Sequence, residues 1–118
     1  MDDRVDRRAE QPPCYGLGMK VRLGSLADMP SDNSAAEIEC AGNIYCVARS
    51  GGQLSVMDNV CPHRGGPLGT GVIDGAKLIC PWHGWQFDPA TGKAIHVPGA
   101  GVRVYPLTIE GDDVFIEI

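Results

Sequence analysis

The chain has 118 residues and a formal charge of -5 at pH 7, a length that fits one domain whose modest core a bound inorganic group would help to stabilise. The acidic balance excludes a general nucleic-acid binder, which needs a basic face, and no apolar run reaches the length of a membrane span. Five cysteines, an odd number, fit a reducing compartment better than a disulfide framework.

Residues 1–18 mix Asp2, Asp3, Arg4, Asp6, Arg7, Arg8 and Glu10 with Pro12-Pro13 and show no period. They read as a flexible N-terminal arm in which Cys14 is an unpaired, incidental thiol. Arg7-Arg8 is followed by Ala9-Glu10-Gln11-Pro12-Pro13 where an export signal needs an apolar segment, so a cytoplasmic location is expected. Met19 to Leu23 alternates apolar and charged residues and predicts a half-buried strand. Ser25 to Ser34, with Pro30, Asp32 and Asn33, predicts a loop with one short helical turn at Leu26-Ala27-Asp28.

Ala36–Cys40 and Ile44–Ala48 carry strand-forming residues on either side of Gly42-Asn43, which predicts a hairpin. A second turn at Ser50-Gly51-Gly52-Gln53 leads into a strand over Leu54 to Met57. Cys40 and Cys46 fall on this meander and read as small buried apolar residues, since neither has a histidine at ligand spacing. From about 59 to 98 the texture changes to short strands, about Lys77 to Ile79, Trp85 to Phe87 and Ala94 to His96. Gly65-Gly66-Pro67, Gly69-Thr70-Gly71, Asp74-Gly75 and Asp88-Pro89-Ala90-Thr91-Gly92 break them up, and such dense turns predict a small metal-centred subdomain. After Pro98-Gly99 come strands over Val102 to Tyr105, Leu107 to Glu110 and Val114 to Ile118, the last two joined by a turn at Gly111-Asp112-Asp113. No helix of any length and no repeat is predicted, and the sum is an all-β antiparallel sandwich or barrel over residues 19–118.

Within the turn-rich stretch stand Cys61-Pro62-His63 and Cys80-Pro81-Trp82-His83. Two thiolates and two imidazoles suit tetrahedral zinc, or an iron–sulfur cluster in which one iron takes both cysteines and the other both histidines. Zinc sites with these ligands usually pair Cys with Cys and His with His, whereas here each pair is mixed.

The run Cys61-Pro62-His63-Arg64-Gly65-Gly66-Pro67-Leu68-Gly69, then Cys80-Pro81-Trp82-His83-Gly84-Trp85-Gln86-Phe87-Asp88, then Thr91-Gly92, resembles the signature of Rieske [2Fe–2S] proteins. The resemblance implies a Rieske-type fold with a cluster-binding subdomain at about 59–98. It implies one cluster per chain, with Cys61 and Cys80 holding the inner iron and His63 and His83 the outer. Neutral imidazoles on one iron raise the reduction potential above that of an all-cysteine cluster. They also make the outer iron the port for electrons. Glycines in the ligand loops would let backbone N–H groups approach the sulfurs, and Pro98-Gly99 would cover the remaining side. Trp82 and Trp85 are expected to shield the cluster and pack the core, and His96, the spare histidine, to be a strand or surface residue.

Departures from the family's subtypes narrow the expected function. High-potential respiratory-chain members carry an extra cysteine pair where this chain has Gly66 and Trp82. They also place a Ser and a Tyr hydroxyl near the sulfurs where it has Trp85 and Phe87. Without these groups the potential is expected at the low end of the Rieske range, about -150 mV. Ring-hydroxylating oxygenases need a second iron on a separate domain of a few hundred residues, and His96 alone is no 2-His-1-carboxylate set. The expectation is therefore an electron-transfer protein, not an enzyme. It would pass single electrons from a flavoprotein or NAD(P)H-dependent reductase to a terminal oxygenase or similar acceptor, with no nucleic-acid or membrane partner. The alternatives are the Rieske small subunit of an NAD(P)H-dependent nitrite reductase, whose pattern is also similar, and a zinc-stabilised interaction module. Glu110, Asp112, Asp113 and Glu117 read as ordinary solvated edge charges.

Overall fold

The computed structural model describes residues 19–62, 65–82 and 84–118. The predicted N-terminal arm with Cys14, and His63, Arg64 and His83, lie outside the described residues.

Among the described residues the strands form three antiparallel sheets. The first has the order β1 (Lys20–Ser25), β10 (Asp113–Glu117), β9 (Leu107–Glu110). The second has the order β2 (Ser34–Cys40), β3 (Asn43–Ser50), β4 (Gln53–Asp58), β8 (Val104–Tyr105). The small third sheet, β5 (Val72–Asp74), β6 (Lys77–Ile79) and β7 (Gln86–Phe87), carries the second cysteine loop. No α-helix occurs among the described residues; Leu26–Asp28 forms the expected short turn, of 3-10 type, and Leu68–Thr70 forms another.

Both predicted hairpins are present. In the second, Gly51 and Gly52 take φ of 58° and 82°, the left-handed pair that matches the twist of tightly joined strands. In the first, the turn sits one residue earlier than expected, on Ala41 and Gly42 at φ of 52° and 83°, and Asn43 already pairs with Cys40. Elsewhere the structure adds one strand and removes or shortens three that were expected. Val72–Asp74 is a strand, too short to show a period, which pairs with β6 across Gly75-Ala76. Ala94 to His96 is not a strand, because isolated bridges from Phe87 to Ala94 and from Lys93 to Gly101 hold this segment as it bends toward Pro98-Gly99. Trp85–Phe87 and Val102–Tyr105 are each shorter than predicted, starting at Gln86 and Val104.

The packing explains why β3 is apolar along both faces. Tyr45 and Val47 join Leu23, Val56, Tyr105, Val114 and Ile116 in a core between the first two sheets. Their neighbours Cys46 and Ala48 point the other way, into a second core with Met57, Leu68, Leu78, Phe87, Cys61 and Cys80. A strand covered on both sides loses the polar alternation of a half-solvated one. Its two faces thus join the scaffold to the cysteine loops. Cys40 and Cys46 are buried free thiols, as expected. The acidic edge is partly neutralised by β1, through ion pairs of Lys20 with Glu110 and Arg22 with Asp113, both exposed. Such pairs contribute little to stability.

Tyr105 closes the end of the first core. Its ring meets Tyr45 edge-on at 5.1 Å and its hydroxyl donates to Asp58 at 2.5 Å. Burial, and then the adjacent carboxylate, push the phenol pKa up to about 12. Replacing Tyr105 with Phe is expected to cost about 1.5 kcal/mol at neutral pH, typical of a hydrogen bond to a charged group. A phenol whose pKa is raised on folding contributes stability that is complete below its unfolded pKa and lost as pH rises through the folded one. The gap between wild type and Tyr105→Phe in denaturant melts should therefore close between about pH 10 and 12; a gap constant across that range would remove the hydrogen bond as its cause.

Candidate functional site

Two loops meet at the second core. The first is closed at its neck by a bridge between Val60 and Pro67 and by Leu68 N–H donating to the Asn59 carbonyl at 2.8 Å. Inside it, Cys61 N–H donates to the Gly66 carbonyl at 2.9 Å and Gly65 N–H to the Cys61 carbonyl at 2.8 Å. Gly65 takes φ of 78°, a conformation costly for other residues. The second loop leaves β6 at Cys80 and doubles back through Gly84, also left-handed at φ of 71°, so that Cys80 N–H donates to the Trp85 carbonyl at 2.8 Å.

These turns bring the two predicted cysteines together. Each is 1% exposed, both are free, and both belong to the same core. Burial raises the Cys80 pKa, the Trp82 N–H lowers it, and Cys61 raises it again. The Trp82 N–H lies 3.4 Å from the Cys80 sulfur. Burial thus disfavours the Cys80 thiolate by itself, whereas a metal cation at the two sulfurs would favour the deprotonated form.

Gly66 packs against this pair so closely that a Cβ would lie 2.9 Å from the Cys80 sulfur and 3.0 Å from Trp82 Cγ. Only glycine fits there without displacing the ligand loop. Positions 66 and 82 thus face each other across the two loops, where the resemblance places the cysteine pair of high-potential relatives. Two converging buried thiols, a backbone N–H aimed at a sulfur and a glycine cradle fit the sulfur-held half of a [2Fe–2S] site.

His63 and His83 lie outside the described residues, but their described neighbours Pro62, Trp82 and Gly84 are exposed. Among the described residues no group of three or more potential ligands converges. Of the two tryptophans expected to shield the cluster and pack the core, Trp85 packs against the second core, its ring centroid 6.4 Å from that of the fully buried Phe87. Trp82 departs from that expectation: it is 49% exposed, because the tight loop turns its ring outward. Ala94, Val97 and Ala100 pack against the second core, while Pro98 and Gly99 themselves sit at the surface. His96 is exposed, beside a shallow cleft with Trp85, Gln86 and Val97.

Asn59 was not singled out by its sequence. Its amide donates to Glu37 Oε2 and accepts from Gly69 N–H, both at 2.7 Å. Nothing in the spacing of residues 37 and 59 marks that link, which depends on where β2 lies against the first loop.

Comparison with known proteins agrees with this geometry. The Rieske [2Fe-2S] domain family matches residues 19–106. The oxygenase component of 3-ketosteroid-9-alpha-monooxygenase from Rhodococcus rhodochrous is 40% identical over 111 residues, covering 90% of this chain but 27% of that protein. The ferredoxin component of the naphthalene 1,2-dioxygenase/salicylate 5-hydroxylase systems from Ralstonia sp is 28% identical over 99 residues, 83% of this chain and 94% of that one. Among solved structures, the Sphingomonas yanoikuyae B1 ferredoxin superposes with a TM-score of 0.75 at 33% identity, covering 85% of this chain and 99% of that chain.

Proposed function

The chain belongs to the Rieske [2Fe–2S] domain family, and from that premise we propose that it is a one-electron carrier working between a reductase and a terminal oxygenase or similar acceptor. Its cofactor is one [2Fe–2S] cluster, which supplies a one-electron couple when bound. The observation that carries this reading is the convergence of Cys61 and Cys80, both sealed from water, under exposed neighbours of His63 and His83. In it the two cysteines hold the inner iron and the two histidines the outer. Gly66 and the Trp82 N–H give the sulfurs a close-fitting, hydrogen-bonded surround, and Phe87 keeps water from the sulfur side. The exposed rim beside the histidines is where a partner approaches.

Relatives named as ferredoxin components of dioxygenase systems support a carrier over a nitrite reductase subunit, and the family favours a cluster over zinc. The donor in this reading is a flavoprotein or NAD(P)H-dependent reductase. No helix among the described residues is long and apolar enough to cross a membrane, and Cys40 and Cys46, free thiols outside the ligand set, support a reducing, cytoplasmic setting. Reduction by candidate reductases, then stopped-flow reoxidation by candidate oxygenases, is the test. Full, rapid electron delivery to one oxygenase is expected; a protein that reductases reduce but no oxygenase reoxidises would remove the carrier role.

A second reading draws on the 40% identity with an oxygenase component, in which these residues are the electron-entry part of a larger oxygenase. The size of the native polypeptide separates the two.

A further inference from the structure

We propose that Asn59 and Glu37 form a positioning pair for the first ligand loop, in which Asn59 fixes the loop on β2 and the Glu37 carboxylate holds the reduction potential down. The proposal rests on the cluster assignment above and adds two residues to it.

Asn59 is 9% exposed, and both ends of its amide are used. A buried polar side chain is kept where its bonds are complete. Asn59 stands two residues before Cys61, and it joins three places. Its carbonyl and Oδ1 receive the N–H groups of Leu68 and Gly69, at the far end of the loop, and its Nδ2 reaches Glu37 on β2. Gly69 lies so flat on that strand that a Cβ would come within 2.6 Å of Glu37 Cγ and 2.8 Å of the Ala36 carbonyl. The loop's internal bonds give it its shape, whereas the Asn59–Glu37 bond and the Gly69 contact determine where that shape sits. Because this loop lies so near the Cys80 sulfur that Gly66 has no room for a Cβ beside it, moving the first loop moves the relation between the two cysteines.

Glu37 contributes charge as well as a hydrogen bond. It pairs across the sheet with Cys46, and its charge adds to burial in raising the Cys46 thiol to about 12. Cys46 shares its core with Cys61 and Cys80, so the carboxylate lies across the sheet from a residue of the compartment holding the sulfurs. A fixed negative charge disfavours an added electron, and salt weakens its effect because Glu37 is itself at the surface.

Two variants of the cluster-loaded protein separate these roles. Glu37→Gln keeps an oxygen to accept from Asn59 and removes the charge. In low salt it should raise the ratio of reduced to oxidised protein at a fixed applied potential about threefold, where tenfold corresponds to 59 mV for one electron. The gain should shrink at high salt, with the EPR line shape of the reduced protein unchanged. Asn59→Ala keeps the charge and removes the clasp, so it should change that line shape and speed iron loss to a chelator. A Glu37→Gln potential equal to wild type in low salt overturns the electrostatic role, and an unchanged line shape and chelation rate in Asn59→Ala overturns the positioning role. Wild type without a cluster would show instead that the underlying assignment is wrong, before either variant is made.

Discussion

Cys61→Ala and Cys80→Ala are each expected to give a folded, colourless protein with essentially no bound iron or sulfide. Both side chains are sealed in the second core, where alanine is tolerated by packing but offers no ligand. The first core, of Leu23, Tyr45, Val47, Val56, Tyr105, Val114 and Ile116, contains neither residue, so the scaffold sheets should survive. Cys46→Ala is the control. It removes a thiol from the same apolar compartment at a cost on the order of 1 kcal/mol, yet should retain the cluster. Iron and acid-labile sulfide analysis, with circular dichroism to confirm folding, reads all three. Full cluster content in Cys80→Ala, or its loss in Cys46→Ala, would mean that a different set of thiols is in use.

His83→Cys is expected to lower the reduction potential by about 250 mV, the gap between the low end of the Rieske range and a plant-type all-cysteine cluster. In the proposed ligand set, thiolate brings a negative charge to an iron that neutral imidazole would leave electropositive, so the oxidised state gains. Protein-film voltammetry on whatever fraction assembles a cluster measures the shift. A potential within about 50 mV of wild type would contradict nitrogen ligation at this position.

Much of the candidate site is legible in the chain because its constraints are local. Cys61-Pro62-His63 and Cys80-Pro81-Trp82-His83 carry their spacing with them, and the hairpin at Gly51-Gly52 announces itself by the left-handed conformation it needs. What the sequence hides depends on contacts between distant segments. Asn59 looks like an ordinary residue until β2 brings Glu37 to it. Val72–Asp74 has too few residues for a period and becomes a strand because β6 pairs with it. Ala94 to His96 has strand-like composition, but its partners are single bridges. Trp82 is a large apolar residue that composition assigns to the interior, and the turn between Cys80 and Gly84 points it outward. The continuous apolar character of Tyr45 to Ala48 makes sense only once both faces of β3 are seen to be covered.

Pulsed EPR on anaerobically reduced protein, prepared with natural-abundance and with 15N-labelled histidine, tests the ligand assignment most directly. Coupling of the unpaired electron to two histidine nitrogens, both changing with the label and one lost in His83→Cys, is the predicted result. A reduced iron–sulfur signal with no histidine nitrogen coupled to it, or a protein that carries zinc and gives no signal, would contradict it.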